Sequence, residues 1–417
     1  MPNYHIFTIG CQMNQAEAER LEGLFEQKGY LPVDVPEEAD LVLLVSCAVR
    51  QSAEERITNR LAILKKLKAG RPSLRVALTG CMVSEDPLEM KRTFPMVDYF
   101  FPAGALPSFI DDLPGDILPN KPEVATHVPI IQGCDNFCSY CIVPYRRGRE
   151  RSRPLQEIVA EVKTLVSRGS REVTLLGQNV NAYGHDLPDQ PDLADLLVAL
   201  DGVEGLYRLR FLTNHPKDMS RRLIDTMGRL ASVCPTLNLP AQAGDNEVLS
   251  RMRRGYTIAE YRALVDDIRQ SVPGIALTTD IIVGFPGETA PQFENTLKLI
   301  ADLRFNAVHG AVYSPRPGTE AAEKFEDDVL KIEKERRLAR LEELQTGIAA
   351  EINAFTLGSN VEVLVEEYVK GKWRGRDRHG KLVFFKSTRD LKGQLVTISI
   401  TATGPWSLRG ELTDADS

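Results

Sequence analysis

The middle of the chain, residues 126–345, alternates short apolar runs with amphipathic segments, and this alternation restricts the fold more than any other feature. The amphipathic segments, such as 155–169 and 291–305, have the apolar spacing of helices. Six β/α units in a row predict an α/β fold in which a parallel sheet curves into a partial (β/α)6 barrel, with its active site at the carboxyl ends of the strands. The strand candidates are 127–133, 171–179, 207–214, 236–242, 276–285 and 306–313.

The first unit carries three cysteines within eight residues: Cys134, Cys138 and Cys141. Thiolates are soft ligands that suit iron–sulfur clusters or zinc. A closed structural zinc site needs four protein ligands, and this stretch has no fourth cysteine or histidine, although His127 lies seven residues upstream of Cys134. Three thiolates on a 4Fe-4S cluster would leave one iron open to a ligand that is not protein.

Residues 1–120 predict a separate α/β domain with a parallel sheet. Amphipathic helical segments at about 16–27 and 52–67 separate three apolar runs, the pattern of strands buried on both faces. Each run ends in a cysteine: Cys11, Cys47 and Cys81. A free cysteine is most often a small buried hydrophobe. Three at equivalent strand ends nevertheless favour a second three-thiolate cluster, and the isolated Cys234 is interpreted as structural.

Composition indicates the cellular setting. The longest apolar runs, such as 41–45, are far shorter than the roughly 20 residues that span a bilayer, and the N-terminus does not resemble a signal peptide. We therefore expect a cytoplasmic protein without a membrane segment. In that compartment the seven cysteines are better explained as ligands than as disulfides. With a net charge of −7, any nucleic acid must be bound by local basic patches.

Residues 349–414 change to short β-rich runs with Gly-containing turns, which predicts a small antiparallel β-barrel. Its segment 370–392 has nine Lys or Arg against two Asp. Three aromatic residues are interleaved with these charges: Trp373, Phe384 and Phe385. This pattern predicts RNA binding by phosphate contacts and base stacking. The alternative is a solvated basic face over core aromatics.

Further polar groups follow the predicted strands of the central barrel, and their common position predicts a cofactor and substrate pocket. For one of them, Gly284–Glu288, the alternative interpretation is a turn that starts a helix. Five arginines after the three cysteines would add positive charge that steers RNA: Arg146, Arg147, Arg149, Arg151 and Arg153. No phosphate-binding glycine loop and no dinucleotide-binding glycine motif is present.

In order along the chain, the motifs resemble those of one enzyme family. GCDNFCSYCIVPYRRGRERSRP (133–154) resembles the radical S-adenosylmethionine signature, and its flanks are similar to those of the MiaB branch of methylthiotransferases. The C-terminal barrel, with GRDRHGKLVFF (375–385) and SLRGEL (407–412), is similar to a TRAM domain, an RNA-binding module. The other matches are TIGCQMN (8–14), LLGQNVNAYG (175–184), NHPKD (214–218), LPAQAGDN (239–246), RMRRGYT (251–257), TTDIIVGFPGET (278–289) and YSPRPGT (313–319).

The resemblance implies three domains: a methylthiotransferase domain at 1–120, a radical SAM core at 121–348 and a TRAM domain at 349–414. It also implies two 4Fe-4S clusters. The first would be held by Cys134, Cys138 and Cys141, and its open iron would chelate S-adenosylmethionine. The second, an auxiliary cluster that presents or supplies sulfur, would be held by Cys11, Cys47 and Cys81. The residues expected to line the cofactor site are Tyr140, Gln178, Gln242, Arg254 and Arg316.

The implied reaction converts C–H to C–S–CH3 at C2 of N6-isopentenyladenosine at position 37 of tRNA. Cleavage of S-adenosylmethionine to a 5′-deoxyadenosyl radical would start it without a side-chain acid or base, and a second S-adenosylmethionine would supply the methyl group. The expected partners are the tRNA anticodon stem-loop, a one-electron donor such as a flavodoxin or ferredoxin, and a sulfur donor. A monomer is expected.

Two alternatives remain open from the sequence. One is a sister methylthiotransferase that acts on N6-threonylcarbamoyladenosine in tRNA or on an aspartate of a ribosomal protein. The Gln-Met-Asn after Cys11 and the segment 375–385 favour the isopentenyl branch. The other is a zinc-bearing RNA-binding protein without catalytic activity. Departures from the family pattern, such as Asn214 and Ala243 where serine is usual, affect no cysteine.

Overall fold

The computed structural model describes residues 1–48, 51–83, 86–110 and 117–413 of the protein. In these ranges, no helix is both long enough and apolar enough to cross a membrane. The helices are α1 (Gln12–Gln27), α2 (Gln51–Gly70), α3 (Pro87–Thr93), α4 (Val143–Arg147), α5 (Leu155–Ser167), α6 (Leu193–Asp201), α7 (Arg221–Arg229), α8 (Asn246–Arg251), α9 (Ile258–Ser271), α10 (Ala290–Leu303), α11 (Glu320–Lys324) and α12 (Lys331–Ala354).

The strands form a five-stranded parallel sheet, a central six-stranded parallel array, a two-stranded ribbon and a closed barrel. They are β1 (Asn3–Thr8), β2 (Leu31–Pro32), β3 (Leu41–Ser46), β4 (Arg75–Gly80), β5 (Tyr99–Phe101), β6 (Ala125–Pro129), β7 (Ile131–Gln132), β8 (Arg151–Ser152), β9 (Glu172–Leu176), β10 (Arg208–Phe211), β11 (Thr236–Asn238), β12 (Ala276–Val283), β13 (Ala307–Val312), β14 (Asn360–Val369), β15 (Lys372–Asp377), β16 (Leu382–Phe385), β17 (Leu395–Thr403) and β18 (Ser407–Leu412).

The N-terminal sheet has the order β2-β1-β3-β4-β5 and is parallel throughout. Because successive side chains of a strand point to opposite faces, Leu41, Leu43 and Val45 pack with helix α1. Val42 and Leu44 pack on the other face with helix α2. All of β3 is therefore buried, and the predicted parallel α/β arrangement is confirmed.

The central array has the order β6-β9-β10 and β11-β12-β13, all parallel. A single parallel bridge between Leu209 and Val233 joins the two halves, so the predicted partial β/α barrel is confirmed. Several predicted strands are too long at their carboxyl ends. Strand β10 ends at Phe211 and β11 at Asn238. Beyond these ends, Thr213 and Gln242 have φ angles of +67° and +70°, and Gln242 forms only an isolated parallel bridge with Ile281. These polar tails form the barrel mouth, the name used below for the carboxyl ends of these strands.

The C-terminal barrel closes in the order β14-β15-β16-β18-β17. It is antiparallel except for β16 and β18, which pair in parallel. The reason is geometric, because strand directions cannot alternate all the way around a ring with an odd number of strands. The predicted small β-barrel is thus confirmed, with one parallel pair that the sequence did not indicate.

The aromatic residues of the barrel are not arranged as a stacking surface. Trp373 and Phe385 belong to the barrel core, because the two-residue period of their strands turns them inward. The prediction that they stack on RNA bases is therefore wrong, and Phe384 is only half-buried. Much of the basic run is also used inside the protein: Arg374 pairs with Glu367, Arg376 pairs with Glu366, Arg378 donates to the backbone oxygens of Ala231 and Val233, and Lys381 donates to Asn353.

Two arginines of β10 attach this barrel to the central array. The fully buried Arg208 donates to the backbone oxygens of Arg376 and Glu362 at 2.6 and 3.1 Å. Arg210 donates to the backbone oxygens of Asp377 and Arg378 at 2.9 and 3.0 Å. The barrel is therefore held by buried, charge-assisted hydrogen bonds rather than by a loose linker.

Glu172 neutralises Arg210 across an N–O distance of 2.8 Å, with both side chains buried. Replacing Glu172 by alanine leaves this charge uncompensated, so we expect a loss of about 3–5 kcal/mol of stability. Thermal denaturation and limited proteolysis of the central array measure it. The control is Glu294→Ala, which breaks an exposed pair with Arg340 and should leave the melting temperature nearly unchanged. Equal effects of the two substitutions would contradict this account.

Candidate active site

The three central cysteines lie on a tight loop after β7, called the Cys loop (residues 133–150) below. Gly133 has a φ of +83°, and a Cβ there would lie 2.1 Å from the Arg149 backbone oxygen. Only glycine therefore permits the loop to fold back on itself at this point. The Cys134 N–H donates to the Gly148 oxygen at 3.3 Å, and the Cys141 N–H donates to the Cys138 oxygen at 2.9 Å.

Other motif segments surround this loop at the barrel mouth. The Ser139 hydroxyl donates to the Arg251 oxygen at 2.7 Å, and the Ser139 N–H donates to the Met252 oxygen at 3.1 Å. The Ala321 N–H in turn donates to the Ser139 oxygen at 2.7 Å. Segments that are distant in sequence thus hold the backbone of the Cys loop from two sides.

Arg254 contacts the loop directly. Its buried guanidinium donates to Cys138 Sγ at 3.3 Å, to the Pro240 oxygen at 3.0 Å and to the Tyr256 hydroxyl at 3.0 Å. Burial alone would lower the pKa of Arg254, but the neighbouring Tyr140, Tyr256 and Cys138 raise it well above its usual value. This side chain therefore provides a permanent positive charge beside a cysteine sulfur.

Of the other predicted cofactor residues, Gln178 contacts the Cys loop and Tyr140 belongs to it. Gln178 Oε1 accepts the Gly133 N–H at 2.6 Å, which fixes the start of the loop. The Tyr140 ring lies 6.5 Å from that of Phe285, edge to face, and burial raises the pKa of Tyr140 well above its usual value. Gln242 lies at the same mouth in a left-handed conformation, a kind of backbone strain that is concentrated at functional sites.

Arg316, which is also predicted to line the cofactor site, contacts the N-terminal sheet domain. Its Nη1 donates to Glu54 of helix α2 at 2.9 Å, so this contact joins the barrel mouth to the N-terminal sheet domain. Glu288 also has a structural contact, since its buried carboxylate accepts from the Gly284 N–H at 2.6 Å and from Arg337 at 2.8 Å. For Gly284–Glu288, the simpler interpretation as a turn is the one that the geometry favours.

A polar cluster beside the Cys loop was not predicted as a unit. Asp218 accepts from Asn136 at 3.3 Å and from Asn179 at 2.8 Å. Lys217 donates to Asn136 at 2.6 Å, and Asn179 also donates to Glu150 at 3.4 Å. Burial raises the pKa of Glu150. All five residues lie in motifs quoted above, but no spacing in the sequence relates one motif to another.

The three cysteines of the first sheet domain, called the N-terminal cysteines (Cys11, Cys47 and Cys81), lie at the carboxyl ends of β1, β3 and β4. Gly10 has a φ of +142°, and a Cβ there would lie 2.7 Å from that of Cys47. Asn14, fully buried, donates to the backbone oxygens of Ile9 and Ser46 and accepts from Cys11 Sγ at 3.5 Å. Asn14 therefore ties two of these strand ends together.

Arg147 joins the Cys loop to the N-terminal cysteines. Its Nε donates to Cys81 Sγ at 3.1 Å, and its Nη2 donates to Asn14 Oδ1 at 3.5 Å. Burial raises the pKa of the Cys81 thiol, and the Arg147 charge acts in the opposite direction. The prediction that Arg147 steers RNA is wrong, because its guanidinium faces a neighbouring domain of its own chain.

The other arginines that follow the three central cysteines divide into two groups. Arg149 pairs with Asp135, and Arg153 pairs with the buried Glu161 and donates to the Pro129 oxygen at 2.7 Å. Arg153 therefore supports the fold. Arg146 and Arg151 are exposed, and for them an RNA contact stays a prediction.

Both cysteine sets have the chemistry of cluster ligands. Each has three soft donors, and each has one sulfur that accepts an N–H from an arginine: Cys138 from Arg254 and Cys81 from Arg147. In the described ranges, no three His, Cys, Asp or Glu side chains converge on a position for one metal ion. Three thiolates are the soft donors that suit an iron–sulfur cluster, so the donor chemistry of both sets fits a 4Fe-4S cluster. Their role as ligands stays a prediction.

Comparison with known families and structures agrees with this architecture. Three family models match: Uncharacterized protein family UPF0004 at residues 3–102, the Radical SAM superfamily at 128–300 and the TRAM domain at 354–413. Among solved structures, the radical S-adenosylmethionine methyltransferase TsrM from Kitasatospora setae has a TM-score of 0.56 at 15% identity, covering 77% of this chain and 73% of its own. At that identity the likeness shows the fold alone.

Relatives of the same length are much more similar. A protein from Dehalococcoides mccartyi named tRNA-2-methylthio-N(6)-dimethylallyladenosine synthase is 53% identical over 412 residues, which cover 99% of both chains. A protein of the same name from Herpetosiphon aurantiacus is 48% identical over 424 residues, covering 98% of this chain and 97% of its own. On this full-length similarity, the chain belongs to the MiaB-type tRNA methylthiotransferases, the family of tRNA-2-methylthio-N(6)-dimethylallyladenosine synthases within the radical SAM superfamily.

Proposed function

We propose that this enzyme methylthiolates C2 of N6-isopentenyladenosine at position 37 of tRNA, and that it does so with two 4Fe-4S clusters. The observation that carries the proposal is the juxtaposition of two cysteine sets, one at the barrel mouth and one at the N-terminal sheet, through the 3.1 Å contact of Arg147 with Cys81. The full-length relatives named for this product support the same substrate.

The reaction needs a cofactor because the C2 hydrogen of adenine is not acidic, and no side-chain base can remove it under ordinary conditions. Cys134, Cys138 and Cys141 would hold a cluster that, once reduced by one electron, would supply with S-adenosylmethionine the radical chemistry that removes this hydrogen. Membership of the radical SAM superfamily carries the requirement for S-adenosylmethionine and an iron–sulfur cluster. The second cluster, held by the N-terminal cysteines, is a proposal that goes beyond this requirement.

The protein residues act by positioning. Gln178 accepts the Gly133 N–H, and the hydroxyl of Ser139 in the loop donates to the Arg251 oxygen, and these contacts hold the Cys loop at the barrel mouth. Arg254 provides a fixed cation at Cys138, where it offsets the negative charge that accumulates on ligand sulfurs. We propose Tyr140, Gln178, Gln242, Arg254 and Arg316 as the residues of the cofactor site. Arg316 also joins two domains through its contact with Glu54.

The proposed domains are a methylthiotransferase domain at 1–120, a radical SAM core at 121–348 and a TRAM domain at 349–414. The TRAM domain supports tRNA as the substrate. The adenine must leave the anticodon loop to reach the barrel mouth, as single-stranded RNA permits. A one-electron donor such as a flavodoxin or ferredoxin and a separate sulfur donor complete the proposal, with the enzyme acting as a cytoplasmic monomer.

Nucleoside analysis of tRNA tests the substrate. Deleting the gene should remove 2-methylthio-N6-isopentenyladenosine and leave N6-isopentenyladenosine in its place, because the unmodified C–H persists. Mass spectrometry of digested tRNA measures both nucleosides, and a plasmid copy of the gene is the control. Retention of the methylthio-isopentenyl form, or loss of a methylthio-threonylcarbamoyl form instead, would assign the chain to a sister activity and refute the proposal.

A further inference from the structure

We propose that Arg147 is a positioning residue that couples the two cysteine sets. Its donation to the Cys81 sulfur sets the reduction potential of the second cluster, and its contact with Asn14 keeps that cluster in register with the Cys loop. This inference rests on the proposed function, because it requires the N-terminal cysteines to hold a cluster.

Arg147 belongs to the Cys loop, and the loop's backbone fixes its position. It is the last residue of α4, which begins two residues after Cys141. The Gly148 N–H donates to the Pro144 oxygen at 3.1 Å, and the Gly148 oxygen accepts from the Cys134 N–H at 3.3 Å. The backbone on the carboxyl side of Arg147 is therefore bonded to the same turn that carries the first of the loop's cysteines.

The two groups that accept hydrogen bonds from Arg147 are themselves held in place by hydrogen bonds. Cys81 is buried, and its N–H donates to the Ser46 oxygen at 2.9 Å. Asn14 is fully buried and donates to the same Ser46 oxygen at 2.8 Å. Two fixed acceptors on one sheet edge match the planar fork of a guanidinium, which presents several donors in one plane, whereas the ammonium of lysine is a compact point charge.

A carboxylate completes the environment of Arg147. Glu17 attracts the Arg147 charge, and its Oε1 accepts from the Thr79 hydroxyl at 3.1 Å and the Gly104 N–H at 3.0 Å. The guanidinium therefore donates to a cysteine sulfur and is also attracted by the charge of a carboxylate whose position is fixed. This arrangement holds the cation at the sulfur even though the residue is largely withdrawn from water.

Domain docking alone does not account for this contact. Arg316 and Glu54 join the same two domains at 2.9 Å, and Ser314 donates to Gln51 at 3.3 Å. These contacts hold the domains together without touching a cysteine. Arg147 adds an N–H to a ligand sulfur, and such hydrogen bonds raise the reduction potential of an iron–sulfur cluster because they offset its negative charge.

The potential is measured best where only the second cluster is present. In a protein with Cys134, Cys138 and Cys141 replaced by alanine, we expect Arg147→Gln to lower the midpoint potential of the remaining cluster, followed by electron paramagnetic resonance during a redox titration. Arg147→Lys should give an intermediate value, because it keeps the charge and loses the fork. Gln51→Ala is the matched control at the same interface and should leave the potential unchanged.

The second measurement uses the enzyme with all its cysteines. Arg147→Gln should raise the ratio of 5′-deoxyadenosine to methylthiolated product by about tenfold or more, the size expected for losing one charge-assisted hydrogen bond. If Arg147→Gln loses only the second cluster while its melting temperature equals that of Gln51→Ala, the result supports the positioning role. The midpoint reduction potential is then measured on Arg147→Lys.

The outcomes separate this inference from the proposed function. If the wild-type protein binds a single cluster, the second cluster of the proposed function and the inference both fail. If it binds two clusters while the potential and the product ratio of both Arg147 variants match those of Gln51→Ala, the proposed function stands and the coupling role of Arg147 is refuted.

Discussion

Replacing Cys134, Cys138 and Cys141 together by alanine is expected to abolish the reductive cleavage of S-adenosylmethionine. The reason is the supply of ligands: with these three thiolates removed, the described structure leaves no soft donor on the Cys loop. We expect 5′-deoxyadenosine formation to fall below about a thousandth of the wild-type rate, a loss of roughly 4 kcal/mol or more of transition-state stabilisation. Chromatography of anaerobic reactions with dithionite measures it.

Cys234 provides the matched control for this substitution. It is a buried cysteine outside both sets, close to Arg208 and Arg210 in the central array. Cys234→Ala removes one buried sulfur and should leave cleavage close to wild type. Cleavage that survives in the triple variant would contradict the ligand role of the Cys loop. A similar loss in Cys234→Ala would show that the assay reports folding rather than cluster chemistry.

Replacing Cys11, Cys47 and Cys81 together by alanine is expected to preserve the cleavage of S-adenosylmethionine and to abolish product formation. The Cys loop with its supports, Gln178, Ser139 and Arg254, remains intact, so this variant should still cleave S-adenosylmethionine. Methylthiolated product should be absent, because no cluster remains to present sulfur. Quantifying 5′-deoxyadenosine and the product nucleoside in one reaction measures both effects. Product formation by this variant would refute the auxiliary cluster.

Iron and sulfide analysis links the two substitutions. The reconstituted wild-type protein should contain about eight irons and eight sulfides, and each triple variant about four of each, since a cubane carries four iron and four sulfide atoms. Protein purified without oxygen should be brown. A colourless protein that contains zinc would instead support the non-catalytic RNA-binding alternative. About four irons in the wild type would remove the second cluster from the proposal.

The apolar pattern of the sequence was sufficient to predict the strands that are buried on both faces. The run at 41–45 is apolar at every position, which indicates a strand covered on both faces, and the structure confirms this for β3, whose six residues, Ser46 included, are all buried. The ends of the barrel strands were less predictable. Beyond the ends of β10 and β11, Thr213 and Gln242 adopt positive φ angles, which their residue types do not predict because non-glycine residues rarely adopt them.

The wrong predictions all concern which groups a side chain contacts. Trp373 and Phe385 were expected to stack on RNA, yet they fill a barrel core, because a basic run does not reveal which face of a strand is inside. Arg147 was assigned to RNA and instead contacts Cys81. Composition indicates how much charge a segment carries, while the direction of each side chain depends on strands that are distant in sequence.

Ligand type, apolar period and motif order are local properties of the chain, and they predict the cysteine positions, the main strands and helices and the family without a structure. The groups that contact those cysteines become visible only when the domains are packed together. Arg147 lies 66 residues from Cys81 and 133 from Asn14, and Arg208 contacts a backbone oxygen 168 residues away. Such pairs form only when packed domains bring a buried cation to an acceptor, because an unpaired charge there would be too costly to keep.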